Sequence, residues 1–381
     1  MPGPSGRPLK ILHVMRAPVG GLFRHVVDLV RGQAARGHHV GILADSTTGG
    51  PRADETLASI APDLALGLHR RPMSRHLGWR DVGAWRDAAR RAGECAADVV
   101  HGHGAKGGAF ARLTDARAGA RAIRVYTPHG GSLHFDWGSP IGFAYLSLER
   151  ALLRRTELIL FDSAFARDVF AAKIGPPSAL ARVVHNGVAG AEFQPVTPDD
   201  AATDLVFVGE LRSVKGVDVL IEAIGILASA GRPVTATIVG AGPEAAALAA
   251  QARQLVLAGA VRFPGPMPAR DAFALGRLLV VPSRFESLPY IVLEAAAAGL
   301  PLITTAVGGI AEIFGPLSQN LVAPGDAAVL ARSIAAALDE PAAGQAAAAV
   351  LRARVRALFS LDAMTDAVLA AYREALERRA I

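Results

Sequence analysis

Short apolar runs alternate with longer stretches of helical periodicity along nearly the whole chain, the pattern of parallel strands joined by crossover helices. Residues 9–15, 39–44, 98–101, 122–126, 158–161 and 182–184 read as strands in the first half. The second half restarts the pattern at 204–208, 234–239, 260–263, 278–281 and 300–304. Between the first two strands, Val26, Val27, Leu29, Val30 and Ala34 make one apolar face of a helix over 22–36. Helices are expected over 217–230, 244–257 and 290–298, and the chain closes on another over 361–379. Alanine-rich 341–350 reads as a surface helix, since alanine is the best helix former. Two prolines and two acids in 194–200 (QPVTPDD) interrupt the periodicity as a linker would. The pattern therefore predicts an α/β chain of two parallel-sheet domains, 1–195 and 201–360.

Composition agrees with two packed cores. The chain has 381 residues, 51% of them hydrophobic and 19% charged, far from the composition of disordered chains. The longest apolar stretch, 295–311, is cut by Gly299, Pro301 and further polar or glycine positions, so no spanning helix is expected. The first apolar run is cut by His13 and Arg16, which makes it a poor signal peptide and points to the cytoplasm. A single cysteine, Cys95, excludes an internal disulfide or a thiolate cluster.

Charge separates the halves. The net +6 divides into 25 basic and 16 acidic side chains up to residue 198, a net +9, and 15 against 18 beyond it, a net −3. All eleven histidines lie in the first half, from His13 to His185. Such asymmetry suggests two domains with different ligands. Within the basic half, 69–91 holds seven arginines against Asp81 and Asp87, with Leu77, Trp79 and Trp85 interleaved. That composition suits an anionic membrane surface, and equally an ordinary arginine-studded helix with its tryptophans in the core. The acidic second half and the lack of any nucleic-acid motif argue against a nucleic-acid partner.

Candidate chemistry collects where strands meet helices. Gly20 and Gly21 in PVGGLFRH open the first helix, where exposed N–H groups attract anions, although a plain tight turn accounts for them as well. After the strand at 204–208 come Gly209, Glu210, Leu211, Arg212, Ser213, Val214, Lys215 and Gly216; arginine and lysine just before a helix suit phosphate oxygens. Gly240 opens another glycine turn, GAGPE. In PSRFESLPYIVLE, Pro289 fits the first turn of a helix, which leaves Glu286 in the preceding loop and Glu294 on the helix. Two acids so placed can accept hydrogen bonds from sugar hydroxyls. His101, His103 and His129 fall at strand ends, where open α/β sheets bind ligands. Neither HExxH nor clustered Cys/His spacing supports a metal site. Asn186 in VHNGV reads as a turn residue.

Taken in order, these segments resemble the retaining glycosyltransferases of family 4, whose GT-B architecture sets two Rossmann-like domains facing each other. The resemblance runs nearly end to end, through GGLFRH, HGH, TPHG, VHNGV, GELRSVKG, VGAGPE, the Glu286 and Glu294 pair, AGLPLITTAVGGIAEI and FSLDAM. It implies that Arg212 and Lys215 neutralise the diphosphate of a sugar nucleotide, that Glu294 holds the ribose and Glu286 the donor sugar, and that His129 contacts the sugar near the reacting carbon. His103, Asn186, Gly209, Gly240, Ser287 and Leu288 are implied to complete the substrate site with Gly20 and Gly21, and 361–381 to be a helix free to cross back to the first domain. One departure stands out: Glu210 follows the glycine where many members have arginine. Residues 210 and 212 point the same way on an extended segment, so Arg212 can supply that guanidinium.

The implied reaction moves a sugar from a UDP or GDP type donor to an acceptor hydroxyl with no metal or other cofactor. The acceptor expected from the basic half is a glycan or lipid-linked glycan of a cell-surface polysaccharide, met by a peripheral enzyme on the inner face of the plasma membrane. A sugar-nucleotide epimerase on the same scaffold is the alternative. A nicotinamide oxidoreductase lacks its remaining glycine spacing and leaves the two glutamates without a role.

Overall fold

A computed structural model describes residues 7–74, 78–114, 122–257 and 259–380. In chain order the elements are β1 (Lys10–Met15), α1 (Gly20–Ala35), β2 (His39–Asp45), α2 (Gly50–Ser59), β3 (Leu68–Arg71), α3 (Arg80–Glu94), β4 (Val99–His103), α4 (Gly104–Arg112), β5 (Ile123–Thr127), α5 (Pro140–Leu152), β6 (Leu158–Phe161), α6 (Ala164–Lys173) and β7 (Leu180–Val183). There follow β8 (Thr203–Val208), α7 (Val217–Ser229), β9 (Ala236–Val239), α8 (Ala245–Gln254), β10 (Val261–Gly265), α9 (Ala269–Phe273), β11 (Gly276–Val281), α10 (Tyr290–Ala298), β12 (Leu302–Thr304), α11 (Ile310–Phe314), α12 (Ala327–Asp339), α13 (Pro341–Leu358) and α14 (Leu361–Ala380). Residues up to Asn186 and those from Leu361 onward form one compact unit, and Gly187–Ser360 a second.

In the first unit seven strands pair in the order β3-β2-β1-β4-β5-β6-β7, every pairing parallel. Side chains alternate across the sheet. Ile11, Val99, Val125 and Leu158 face α14 through Met364, Val368 and Tyr372, while Leu12, Val14 and Val100 pack with Ala84, Ala88 and Phe110 of α3 and α4. His13, two residues from Ile11, and His101, two from Val99, thus lie on the side covered by α14.

In the second unit five strands pair in the order β10-β9-β8-β11-β12, again all parallel. Leu205 and Phe207 pack on α7, α8 and α12; Val206 and Leu279 pack on α10, α11 and α13. Both sheets reverse direction once from their first strand, between β1 and β4 and between β8 and β11. Such a switch point opens a crevice at the carboxyl ends of the strands.

Two expectations change. The division falls between Asn186 and Gly187, ahead of the proline-rich 194–200. The Val188 N–H donates to the Phe359 carbonyl and Phe193 is buried with Leu351 and Val355, so residues from 187 on belong to the second core. The strand β3 lies inside the arginine-rich segment, where the half-buried sequence LHRR shows no apolar run.

Candidate active site

In the second unit, Lys215 follows β8 and Glu286 follows β11, so the switch point brings together residues 71 positions apart. The Lys215 ammonium donates to Glu286 Oε1 at 2.7 Å, and the Ser283 hydroxyl donates to the same oxygen at 2.7 Å. Glu286 is buried and Lys215 half-buried. A buried carboxylate needs such partners.

Backbone crowding holds this arrangement. Gly216 has φ +66°, and a Cβ there would lie 2.0 Å from the Pro282 carbonyl oxygen; Gly308 has φ +61°, and its Cβ would lie 2.0 Å from that of Glu286. Only glycine fits either position. Thr305 Oγ1 donates to the Ser283 carbonyl at 2.6 Å, and the Gly309 N–H to the Ser287 carbonyl at 2.6 Å. Leu288 is buried, Pro289 caps α10, and Glu294 sits half-buried on that helix. Gly209 donates to the Val239 carbonyl, and a Cβ on Gly240 would lie 1.8 Å from the Gly209 carbonyl oxygen, so the two glycine turns pack backbone to backbone.

Glu210 and Arg212 project from either side of buried Leu211 and pair with each other at 3.4 Å, both about half-exposed. Among the described residues, this is the ion pair that holds Arg212. Arg284, which carried no signal in the sequence, clamps Asp218 of α7 with two bonds of 2.7 and 2.6 Å and donates to the Ser213 carbonyl at 2.6 Å. It fixes the loop that carries Lys215, and the pairing holds the Asp218 carboxyl below its usual range.

In the first unit, Gly20 and Gly21 open α1 with exposed backbone and no acid in the first turn. Beyond them lies a cluster of five histidines. His13 Nε2 is 2.9 Å from Gln33 Oε1, His13 Nδ1 is 2.9 Å from His103 Nε2, and His103 Nδ1 is 3.1 Å from His129 Nε2. His101 bridges the Tyr372 hydroxyl of α14 at 2.6 Å and Thr127 Oγ1 at 2.8 Å. His25 Nδ1 is 3.0 Å from Asn186 Oδ1, so Asn186 orients a ring rather than only making a turn. His129 sits in the left-handed region at φ +49°, an uncommon conformation for a residue with a side chain.

Burial makes the imidazolium form costly throughout. It lowers His13 and His25 to about 4 and carries His101, His103 and His129 well below 6.5, with neighbouring imidazoles adding to the fall at the last three. All five are neutral at pH 7. The nitrogens of His13, His101 and His103, and of His25, His103 and His129, lie within 4.8 Å of one another, the spacing of a metal triad. The closest pairs are instead hydrogen-bonded ring to ring, and among the described residues no carboxylate or thiolate joins either group to offset a dication. The cluster is a relay of neutral donors and acceptors.

Of the sequence-derived residues, Lys215 meets Glu286 and Gly209 meets Gly240 in the second unit, and His25 joins Asn186 to His103 and His129 in the first. Sequence reasoning missed Ser283, Asp218, Arg284, Gln33 and the roles of His13 and His25. A polar residue alternating with apolar ones inside a buried strand is the signal that marks His13; Gln33 and His25, on helix α1, carry no such mark.

Two family models match the chain: Glycosyltransferase Family 4 over residues 19–189 and Glycosyl transferases group 1 over 190–355. The glycogen synthase of Mycobacterium tuberculosis (strain ATCC 25618 / H37Rv) is 30% identical over 384 residues, covering 93% of this chain and 91% of that one. Sucrose-phosphate synthase from Thermosynechococcus elongatus has a similar structure, with a TM-score of 0.79 at 20% identity over 97% of this chain and 100% of that one. Anabaena Alr3699/HepE, solved in complex with UDP and glucose, gives 0.77 at 19% identity over 96% and 100%. At such identities the likeness carries the fold, two parallel-sheet α/β units of GT-B type.

Proposed function

The chain belongs to glycosyltransferase family 4 (glycosyl transferases group 1), and from that premise we propose that it transfers a sugar, with retention, from a nucleotide diphosphate sugar to an acceptor hydroxyl. The observation that carries the donor site is the meeting of Lys215 and Glu286 at the switch point of the second sheet. Lys215 and Arg212 face the diphosphate. Glu294 takes the ribose hydroxyls and Glu286 the sugar hydroxyls, with Ser287 and Leu288 between them and Gly209 and Gly240 letting the backbone come close. Departure of the diphosphate builds negative charge, and cations fixed in advance lower that barrier. Gly20 and Gly21 add backbone N–H groups at a helix start. His129, neutral and backed by His103, presents a hydrogen-bond acceptor near the reacting carbon. No protein carboxylate is assigned as nucleophile; the donor phosphate takes the acceptor proton.

The acceptor reading is a lipid-linked glycan of a surface polysaccharide, met at the inner face of the plasma membrane. Among the described residues no helix is long and apolar enough to cross a membrane. A second reading, extension of an α-glucan, has support in the glycogen synthase relative. Thermal-shift screening of nucleotide sugars, followed by transfer assays with lipid-linked and α-glucan acceptors, tests both. Donor turnover without any acceptor would instead favour an epimerase.

A further inference from the structure

In the arginine-rich 69–91 segment, four of the arginines are held in ion pairs. Arg70 pairs with Asp54 at 2.5 Å, Arg71 with Asp87, Arg90 with Asp87 and Glu94 at 3.2 and 2.7 Å, and Arg91 with Glu94 at 3.1 Å. Leu77 and Arg75 lie outside the described residues. Arg86 is exposed and has no ion pair among the described residues, but Arg70, Arg71, Arg90 and Arg91 are matched by nearby acids and add little net field toward an anionic surface.

Helix α5 differs. Its solvent side carries Ile141 and Phe143, 62% and 59% exposed, next to the ring of Trp137, its last turn carries exposed Arg150, and the 3-10 turn that follows carries exposed Arg154 and Arg155. The acids of this stretch are taken: Asp136 pairs with Lys173 at 2.9 Å, buried Glu149 with Arg112 at 2.7 Å, and Glu157 with Arg124 at 2.5 Å. None of the three arginines has an ion pair among the described residues. The face therefore joins bulky apolar side chains to three uncompensated positive charges. Its apolar part extends to α3: Val82 and Trp85 line the same 170 Å³ cavity as Tyr145 and Leu148 of α5, and Trp79, just before α3, is 81% exposed.

We infer that this α5 face, with the start of α3 beside it, is the surface by which the first unit docks on an anionic membrane. Rings and aliphatic chains enter the boundary between headgroups and acyl chains, and the arginines meet lipid phosphates. The inference rests on the reading of a lipid-linked acceptor, which brings the enzyme to a bilayer.

The test is co-sedimentation of the full chain with vesicles of phosphatidylcholine alone or with 30% phosphatidylglycerol (about a third anionic lipid, enough for the field in question), at low and high salt. Expected are binding to the anionic vesicles that weakens with salt, roughly hundredfold weaker binding for the triple variant Arg150→Gln, Arg154→Gln, Arg155→Gln, and about tenfold or more for Ile141→Ser with Phe143→Ser. Arg90→Gln with Arg91→Gln should bind as the wild type does. Anionic-vesicle binding that survives both α5 variants, or equal binding to neutral vesicles, overturns the inference. So does a wild-type dimer that the Ile141→Ser, Phe143→Ser pair makes monomeric while vesicle binding persists, since the face then meets a second copy. Transfer to a soluble acceptor is measured in parallel. Variants that lose vesicles and keep transfer support the surface; a wild type that binds vesicles through α5 and transfers nothing from any nucleotide sugar sinks the functional reading and leaves the surface standing.

Discussion

His103 Nδ1 lies 3.1 Å from His129 Nε2, and this contact ends a chain that starts on α1 at Gln33. A neutral imidazole donates through one nitrogen and accepts through the other. With Gln33 Oε1 accepting from His13 Nε2–H, His13 Nδ1 must accept from His103 Nε2–H, and His103 Nδ1 from His129 Nε2–H. His129 is left with a bare Nδ1. An amide three links away thus fixes which nitrogen of His129 carries the proton, and the buried rings cannot escape the order by taking a second proton at pH 7.

Gln33 is accordingly expected to act as a positioning residue. Gln33→Met should blur the tautomer of His129 in long-range proton–nitrogen spectra of histidine-labelled protein and lower kcat roughly tenfold, the size seen when an outer hydrogen-bond partner is lost, with the donor KM little changed. Gln33→Glu keeps an acceptor and should keep the tautomer. An unchanged His129 spectrum in Gln33→Met refutes the coupling.

At the donor site, Lys215→Ala and Glu294→Ala should each weaken donor binding or turnover about tenfold or more, since a charged hydrogen bond contributes roughly 1.5–3 kcal/mol. Lys215→Ala also strips buried Glu286 of its cation and leaves only Ser283 on that oxygen. Titration calorimetry with the nucleotide sugar found by screening is the check. Wild-type affinity in both variants would remove these residues from the site.

Elements with a clean pattern were legible from sequence. The apolar run Leu158–Phe161 is a fully buried strand and YIVLEAAAA a helix over Tyr290–Ala298. Glu286 stood out with Glu294 as a pair of acids on either side of the helix start at Pro289. Strand β3 did not, since an edge strand held by Arg70 and Arg71 ion pairs needs no apolar run. The histidine relay was illegible for a different reason. Gln33, His13, His103, His129 and Tyr372 come from separate elements that only the sheet order and the return of α14 bring together, and His13 by itself looks like a flaw in a strand.

Gly308→Ala should impair the donor site through backbone alone. The new Cβ would meet the Glu286 carbonyl oxygen at 2.0 Å in a left-handed conformation that costs a side chain about 1–3 kcal/mol. The Glu286 and Ser287 backbone must move, and donor turnover should fall about tenfold or more. Gly190→Ala, which meets nothing within 4 Å, serves as control and should leave turnover near wild type. Equal activity of the two variants would show that the loop tolerates displacement.

The histidine cluster also sets the pH window of the first unit. An unfolded histidine titrates near 6.5, whereas folded His13 and His25 are held near 4 by burial. As pH falls below 6.5 the unfolded chain takes up protons that the folded chain refuses, so stability is full above that value and is lost on the way down to about 4. Each of the two sites removes about 1.4 kcal/mol per pH unit in that window, roughly 3 kcal/mol per unit for the pair; His101, His103 and His129 shift the same way. Carboxylates held low by partners, such as Asp98 beside Arg7, act only below their ordinary value of 3.8 and stay out of this range. All three tryptophans, Trp79, Trp85 and Trp137, lie in the first unit, so urea unfolding followed by their fluorescence reports on it alone. Stability should drop steeply between pH 7 and pH 5, and His25→Gln, which retains a donor for Asn186, should flatten the slope by about 1.4 kcal/mol per unit. A stability independent of pH across that interval would mean that the rings take up protons in the folded state, and the neutral relay to His129 would fall with it.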